Sequence, residues 1–498
     1  MKNFVYIAAI TISLLLTTSC VDLTQEPKSF LTEEDYIASM NLDGFQKAAT
    51  ALYKNLWYHN YGFNNHMQCI SVCADDITYS PTKAGNPLAN YGALSPSLSV
   101  NNADFNMLWP NFYTVINNAN KLINNVTIPE DAMQEEKYKQ VLGEVYFMRG
   151  LCYFYLVRIF GDIPLILKGE DASIQMPRTS VEEIYNQAII PSLTTAAEWL
   201  PETSRSGFSS TPSKWAAKAC LADVYMTMAG WPLKKGVEFY SKAAMVAKEI
   251  IQNSGLELTV NYSDLWKEAL KEEANEHIFA LHHSVKDKVA SNYGKAYYPK
   301  DFYPNAGWAE YYSSESFYLN FPDDNRKTWN FMTEWEAGTS TNHRLVNYTE
   351  SVDGLPAISK YFDYDEGAPG QSAQSNGITC IYRYADVLLM YAEASTRATG
   401  NVDALSLRSL NAVQNRANSP ITTTSVNATE FEKAVFDERG WEFFAEMKRW
   451  FDLVRLEKVA EVRSTEWGAS TFKANNHYYM PIPYAQIELT GWTNNAGY

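Results

Sequence analysis

Paired carboxylates near the end of the chain are the first residues whose types and spacing could support catalysis. Glu442 and Glu446 stand four residues apart in FDERGWEFFAEMKRWFDLVR, which runs from Phe436 to Arg455. Two carboxylates can hydrolyse a glycosidic bond, but they must flank that bond at a separation of about 5 to 9 Å. Adjacent turns of one helix cannot surround a sugar in this way. The pair is therefore predicted to be structural.

Four acids in predicted loops are a second candidate set for acid–base chemistry: Asp75, Asp76, Asp323 and Asp324. An all-helical glycoside hydrolase would place two such acids on opposite walls of a cleft. Loop acids more often stabilise turns and cap helices, and we favour that role here. The chain also lacks a phosphate-binding Gly-rich loop, a nucleophile elbow and a zincin motif. No enzymatic activity is predicted.

A metal site is the next possibility, because His66, Cys69 and Cys73 lie close together in HMQCISVC. No second ligand pair with zinc-like spacing follows this group. The two cysteines are four residues apart, which is also the spacing of one buried helix face. We predict neither a bound metal nor a cofactor.

Composition limits the classes of partner. The 498 residues carry a formal net charge of −16, and 46% of them are hydrophobic. Nucleic acids and anionic membrane surfaces are bound through basic patches, so neither is expected to be the main partner.

The first twenty residues resemble an export signal. Lys2 precedes an uncharged apolar run over residues 4–16, and small residues lead up to Cys20. Thirteen helical residues rise only about 20 Å, too little to cross a hydrocarbon core of about 30 Å. We expect a lipoprotein signal peptide over residues 1–19, with lipid attached to Cys20. An ordinary secretory signal that happens to contain a cysteine is the alternative.

Apolar residues recur with a helical period through much of the chain, usually in pairs of segments. Helices are predicted at 138–160, 180–200, 213–230, 236–255, 382–400 and 402–418. Helix–turn–helix units of about 34 residues, with alanine and aromatic residues at recurring places, are typical of tetratricopeptide repeats. The predicted fold is therefore mainly α, a tetratricopeptide-like helical-repeat scaffold.

Two long stretches, residues 76–108 and 286–376, carry no helical period. The second is rich in aromatic residues, which disordered segments usually lack. Long ordered loops on a rigid scaffold commonly carry the binding surface. We expect these two regions to do so.

Motifs along nearly the whole chain resemble the SusD/RagB family of Bacteroidetes outer-membrane lipoproteins. They are LWPNFYTVINNANKLI (108–123), GEVYFMRGLCYFYLVRIFGDIPL (143–165), SKWAAKACLADVYMTMAG (213–230), YRYADVLLMYAEA (382–394), LNAVQNRAN (410–418), DERGWEFFAEMKRWFDLVR (437–455) and MPIPYAQIELTGWTNNAGY (480–498). Four positions depart from the family's usual residues: Gln414, Gly440, Met447 and Ala496. These positions lie in packing motifs, so they do not affect the expected fold.

The resemblance implies a cell-surface protein that binds oligosaccharides and passes them to a SusC-like TonB-dependent transporter. It also implies attachment to the outer membrane through lipid at Cys20. An anchor linker is expected over residues 20–35, followed by an N-terminal SusD-like helical domain (36–260) and a C-terminal SusD/RagB domain (261–498), packed as one globular unit. Peptide binding remains open, because some relatives take up peptides.

Exposed aromatic rings suit a sugar ligand, since they stack on the C–H faces of pyranose rings. Most aromatic residues of 292–321 are expected to form a satellite core beneath the loop. Trp308 follows the turn sequence PNAG, which predicts that its ring faces outward. The candidate ligand contacts are Trp308, Tyr298, Tyr303, Tyr311 and, from the other irregular region, Tyr91.

The stretch from Phe436 to Arg455 is predicted to be one helix with a broad apolar face that includes Trp450. Its charges follow the helix dipole, with pairs expected at Glu446–Arg449 and Asp452–Arg455. The stretch is therefore interpreted as scaffold.

Overall fold

The fold is taken from a computed structural model that describes residues 31–57, 64–83, 86, 88–93, 103–169, 176–287, 289–291, 293–303, 306–362, 376–423, 426–463 and 478–498. The structure is 55% helix and 10% strand, and it confirms the predicted mainly α, tetratricopeptide-like fold. The predicted signal peptide and Cys20 lie outside the described residues. Within the described residues, no helix has both the length and the apolar character needed to cross a membrane.

The helices of the described residues occupy these ranges: α1 (Glu33–Ala38), α2 (Leu42–Trp57), α3 (Asn64–Ser71), α4 (Leu88–Gly92), α5 (Ala103–Asn125), α6 (Ala132–Phe160), α7 (Val181–Ile184), α8 (Ile190–Trp199), α9 (Lys214–Ala229), α10 (Val237–Asn253), α11 (Tyr293–Tyr297), α12 (Glu315–Asn320), α13 (Asn325–Asn330), α14 (Tyr384–Thr399), α15 (Ala404–Ala417), α16 (Ala428–Glu442), α17 (Arg449–Arg455), α18 (Val459–Arg463) and α19 (Tyr484–Thr490).

Capping side chains define several helix starts. Asp131 accepts a hydrogen bond from the Gln134 N–H at the start of α6. Ser180 accepts one from the Glu183 N–H at the start of α7, as the capping-box pattern predicts. Each cap satisfies a backbone donor that the first turn of a helix leaves unpaired.

The predicted pairs of helices are present as neighbours in space. Helix α9 packs on α10, α10 on α14, and α14 on α15. Small buried residues in these helices allow the close approach: Ala216, Ala217, Ala219, Ala243, Ala247, Ala392 and Ala394. The segment 180–200 differs from the one continuous helix that was expected. It contains a π-helical stretch at Tyr185–Ile189 between α7 and α8.

Short antiparallel strand pairs join distant parts of the chain. They are β1 (Ile77–Tyr79) with β3 (Tyr311–Ser313), β2 (His277–His282) with β8 (Ile378–Arg383), β4 (Phe331–Met332) with β7 (Ala357–Ile358), and β5 (Glu334–Thr339) with β6 (Asn342–Asn347). The β1–β3 pair, with Ile77 opposite Ser313, brings the two irregular regions together.

The irregular regions contain more regular structure than the sequence indicated. Helix α5 begins at Ala103, inside the 76–108 stretch, and α4 also lies within it. The described part of this stretch contains β1, α4 and the first turns of α5, and segments this short show little periodicity. The 286–376 stretch likewise holds α11 to α13 and the strands β3 to β7.

One hydrophobic core runs through both halves of the chain, from Ile37 to Ile482. A second, smaller core lies under the aromatic-rich region and includes Tyr298, Phe302, Tyr312, Trp335, Tyr348 and Phe362. The satellite core expected for most aromatic residues of 292–321 therefore holds only in part, because Tyr297, Tyr311 and Phe321 belong to the main core instead. The boundary at residue 260 stays a prediction.

The single helix predicted over the 436–455 stretch is wrong. Helix α16 ends at Glu442 and α17 begins only at Arg449. Between them, Ala445 and Met447 both have a φ of 60°, which a right-handed helix does not allow. The break turns the Glu446 carboxylate inward, where it meets Lys360 and Arg383.

Candidate functional site

An open cleft lies where the two irregular regions meet above the smaller core. Its volume is about 260 Å³, slightly below the range of about 300 to 1,000 Å³ that is usual for ligand sites. It is lined by Ser80, Thr82 and Lys83 from the loop after β1 and by Pro299, Lys300, Asp301, Trp308, Ala309, Tyr312, Trp335, Ser351, Val352 and Asp353 from the second half.

The backbone around Gly307 sets the position of the Trp308 indole. A Cβ atom on Gly307 would lie only 1.9 Å from the Tyr298 carbonyl oxygen, so the chain can pass here only as glycine. The Trp308 N–H donates a hydrogen bond of 2.9 Å to the Lys295 carbonyl oxygen. The indole is half-buried and forms part of the cleft wall.

Trp335 supports the loop that carries Lys300 and Asp301. Its indole is 3% exposed, and its Nε1–H donates to the Asp301 Oδ1 at 3.0 Å. The Asp301 carbonyl oxygen in turn accepts from the Gly338 N–H of β5 at 2.8 Å. These contacts tie the loop to the β5–β6 hairpin.

Asp353 connects three segments of the cleft. Its Oδ1 accepts from the hydroxyls of Ser80, at 2.6 Å, and Thr82, at 2.5 Å. Its Oδ2 accepts from the Tyr312 hydroxyl at 2.7 Å. Burial by itself would raise the pKa of Asp353, but the three hydroxyl hydrogen bonds lower it below the usual value. The carboxylate is therefore charged at neutral pH and holds the cleft together.

The candidate ligand residues do not lie together. Trp308 lines the cleft, whereas the side chains of Tyr91, Tyr298 and Tyr311 are at most 2% exposed. Tyr91 lies in α4 and Tyr311 in β3, where tertiary packing buries them, so in this structure these three rings are not available to stack on a ligand. Tyr303 is half-buried outside the cleft lining and stacks on His343, with ring centroids 4.3 Å apart.

Comparisons with known proteins agree with this architecture. Residues 30–226 match a family model described as starch-binding and associating with the outer membrane, and residues 346–498 match the SusD family model. The chain belongs to the SusD/RagB family. It is 28% identical to SusD-like protein P2 of Formosa agariphila over 98% of both chains.

Solved structures of SusD proteins share the fold. A SusD superfamily protein from Parabacteroides distasonis superposes with a TM-score of 0.80 at 25% identity, covering 94% of this chain and 100% of that one. A laminarin-binding SusD-like protein superposes with a TM-score of 0.73 at 22% identity, covering 92% of this chain and 99% of that one.

Glu442 and Glu446 lie in a buried ion-pair network of this SusD/RagB protein. Glu442 accepts from the guanidinium groups of Arg326, Arg383 and Arg416. Glu446 contacts Lys360 at 2.7 Å and Arg383 at 2.9 Å. All these side chains are at most 4% exposed.

The positively charged partners in this network keep the carboxyl groups of Glu442 and Glu446 ionised. Burial alone would raise the pKa of Glu446, but Arg383 and Lys360 lower it to about 2. The pKa of Glu442 also lies well below the usual value, because three arginines outweigh the effect of burial. Neither group reaches the cleft or holds a proton to donate, so the pair fits a structural role.

Two of the four loop acids, Asp75 and Asp324, form structural contacts through their side chains. Asp324 caps α13, as predicted, and its side chain binds Arg326. Asp75 forms an ion pair of 2.7 Å with Arg449, so the Glu446–Arg449 pair expected from the sequence is not formed. The Asp452–Arg455 pair is present at 2.8 Å.

Several cleft residues were missed by sequence reasoning: Ser80, Thr82, Lys83, Lys300, Trp335 and Asp353. Ser80, Thr82 and Lys83 could have been found from their position in the irregular 76–108 region. Nothing local distinguishes Asp353 from other loop acids, because its partners are up to 273 positions away in the sequence.

Proposed function

We propose that this protein captures oligosaccharides at the cell surface and delivers them to a SusC-like TonB-dependent transporter. The observation that carries the proposal is the cleft in which the Trp308 indole lies beside hydroxyl, carboxylate and ammonium groups. Pyranose rings have apolar C–H faces that stack on aromatic rings, and hydroxyls that bond to polar groups. The cleft offers partners for both.

The comparisons support the same class of ligand. One matching family model is described as starch-binding, and a solved neighbour is named as laminarin binding. The ligand of this chain is proposed from its own cleft together with these relatives.

Attachment to the outer membrane through lipid at Cys20 completes the proposed role. The protein would then face the cell surface and cover the transporter as a lid. A stable lid requires a broad interface, of a size beyond about 2,000 Å². Co-purification with a TonB-dependent receptor from native membranes, after mild solubilisation, tests this part. Recovery of only free monomer across several detergents would contradict it.

We infer binding without hydrolysis. The network carboxylates are buried and fully paired, and Asp353 already accepts three hydrogen bonds from the protein itself. A general acid must hold a proton near neutral pH, which a carboxyl group with a lowered pKa does not. The cleft therefore offers a binding surface rather than an acid–base pair.

One experiment separates the possible functions. Purified protein is incubated with a glycan panel and a peptide panel, and binding and new reducing ends are both measured. We expect glycan binding with no new reducing ends. New reducing ends would indicate a hydrolase, and binding of peptides alone would replace glycans as the ligand.

A further inference from the structure

Two lysines that have no partner among the described residues lie at the candidate cleft. Most lysines of the described residues bind a carboxylate or a backbone carbonyl oxygen, as Lys360 and Lys271 do. The lysines in that part of the chain with no hydrogen bond or ion pair are Lys83, Lys137, Lys248, Lys286 and Lys300. Lys83 and Lys300 line the cleft, one from each irregular region, and both side chains are exposed.

The acids of the same cleft are already engaged. Both oxygens of Asp353 accept hydrogen bonds from hydroxyl groups, and Asp301 accepts from the Trp335 indole. Neither acid lies within 4.0 Å of a lysine ammonium group, the distance at which an ion pair forms. The cleft therefore presents two ammonium groups that have no partner among the described residues, while Asp353 is bonded to the protein through both carboxylate oxygens and Asp301 through one.

We propose that the oligosaccharide bound in this cleft is acidic, with carboxylate or sulfate groups that contact Lys83 and Lys300. This inference rests on the proposed function, since it specifies the ligand of the same site. An ammonium group offers three donors and forms charge-assisted hydrogen bonds with anionic oxygens. Trp308 supplies the ring on which a sugar of the chain stacks.

The negative net charge of the protein supports the assignment of Lys83 and Lys300 to an anionic ligand. A protein of net charge −16 repels anions over most of its surface, so an anionic ligand needs local cations. On this surface the other lysines without partners lie elsewhere: Lys137 in α6, Lys248 in α10 and Lys286 after β2. They supply matched controls.

The test uses tetrasaccharides that differ only in their acidic groups. In the first two pairs, neutral cellotetraose is compared with the acidic β-1,4-glucuronan tetramer, and neutral β-1,4-mannotetraose with the acidic β-1,4-mannuronan tetramer. In the third set, neutral α-1,4-galactotetraose is compared with the galacturonan tetramer and with its own 6-sulfated form. Affinities are measured by calorimetry at 50 and 500 mM salt. We expect at least one acidic probe to bind ten-fold or more tightly than its neutral match. Added salt should weaken that binding because it screens exposed charges.

Variants assign the effect to the two lysines. Lys83→Gln and Lys300→Gln should each lower the affinity for the acidic probe about three- to five-fold, because each substitution removes one exposed ion pair. The double Lys→Arg variant should retain binding, whereas the control Lys248→Gln should change it less than two-fold. Thermal melting of every variant checks that the fold is intact.

The outcomes separate the inference from the proposed function. The inference of an acidic ligand is overturned if the neutral probes bind as tightly as the acidic ones or more tightly, or if neither lysine substitution changes binding. Either result leaves the proposal of glycan binding intact. Binding of none of the glycans, neutral or acidic, overturns the proposed function as well. The carboxylate and sulfate probes of the galactan series show which anion the site takes.

Discussion

Replacing Glu446 with glutamine removes one charge from the buried network and should lower the stability of the fold. The Glu446 carboxylate is 1% exposed and contacts Lys360 and Arg383 at 2.7 and 2.9 Å. Its pKa falls from a reference value of 4.5 to about 2 on folding, a difference of about 2.5 units. At about 1.4 kcal/mol for each unit, the charge contributes roughly 3 kcal/mol at pH 7.

The sign of the pH dependence follows from the lowered pKa. A carboxyl group with a lower pKa in the folded state stabilises the fold above its unfolded pKa, and the contribution is lost as the pH falls through the folded pKa. Between pH 4.5 and about 2 the contribution of Glu446 should therefore disappear. The difference between wild type and Glu446→Gln should shrink from roughly 3 kcal/mol at pH 7 to about 2 kcal/mol at pH 3.5.

Urea unfolding followed by tryptophan fluorescence at both pH values measures this difference. Glu273→Gln is a suitable control, because this exposed glutamate forms no ion pair in the described residues and its loss should cost less than about 0.5 kcal/mol. A Glu446→Gln variant within 0.5 kcal/mol of wild type at pH 7 would show that the charge is not stabilising. An unchanged difference at pH 3.5 would refute its assignment to the carboxylate.

Three further predictions concern the anchor, the core and the ligand site. Cys20→Ala should release the protein from membranes, and its continued fractionation with the outer membrane would exclude lipid at Cys20. Trp450 is 2% exposed, so Trp450→Ala should destabilise the fold by about 3–5 kcal/mol, measured by chemical unfolding. Trp308→Ala should weaken glycan binding about ten-fold, the loss of one stacking ring, with little change in melting temperature. Unchanged affinity in that variant would exclude Trp308 as a ligand contact.

Most helices could be predicted because their signals are local. In α6 the apolar stripe and the stop at Gly161 are both present within thirty residues of sequence. The cap at Ser180 is equally local, and in the structure its hydroxyl accepts from the Glu183 N–H at the start of α7. The short elements β1 and α4 were missed because three to five residues show no reliable period.

The stretch from Phe436 to Arg455 shows where local reasoning fails. Its sequence pattern allows one long amphipathic helix, and only partners elsewhere in the chain break it. Arg383 lies 63 positions from Glu446, and Lys360 lies 86 positions away. Burying these charges requires direct pairing, because an unpaired ion in the interior costs several kcal/mol. That requirement outweighs the helix propensity of the residues between α16 and α17.

Apolar periodicity determined the helical scaffold, and the motifs spread along the chain determined the family. Composition singled out the two irregular regions, which the β1–β3 pair brings together at the candidate cleft. The turn sequence PNAG identified Trp308, which lines the cleft, but the aromatic enrichment of 292–321 could not show that the candidate ring of Tyr298 is buried. Exposure depends on which segment packs above each ring. Asp353 accepts a hydrogen bond from Thr82, 271 positions away, so only the tertiary structure decided which polar groups line the cleft.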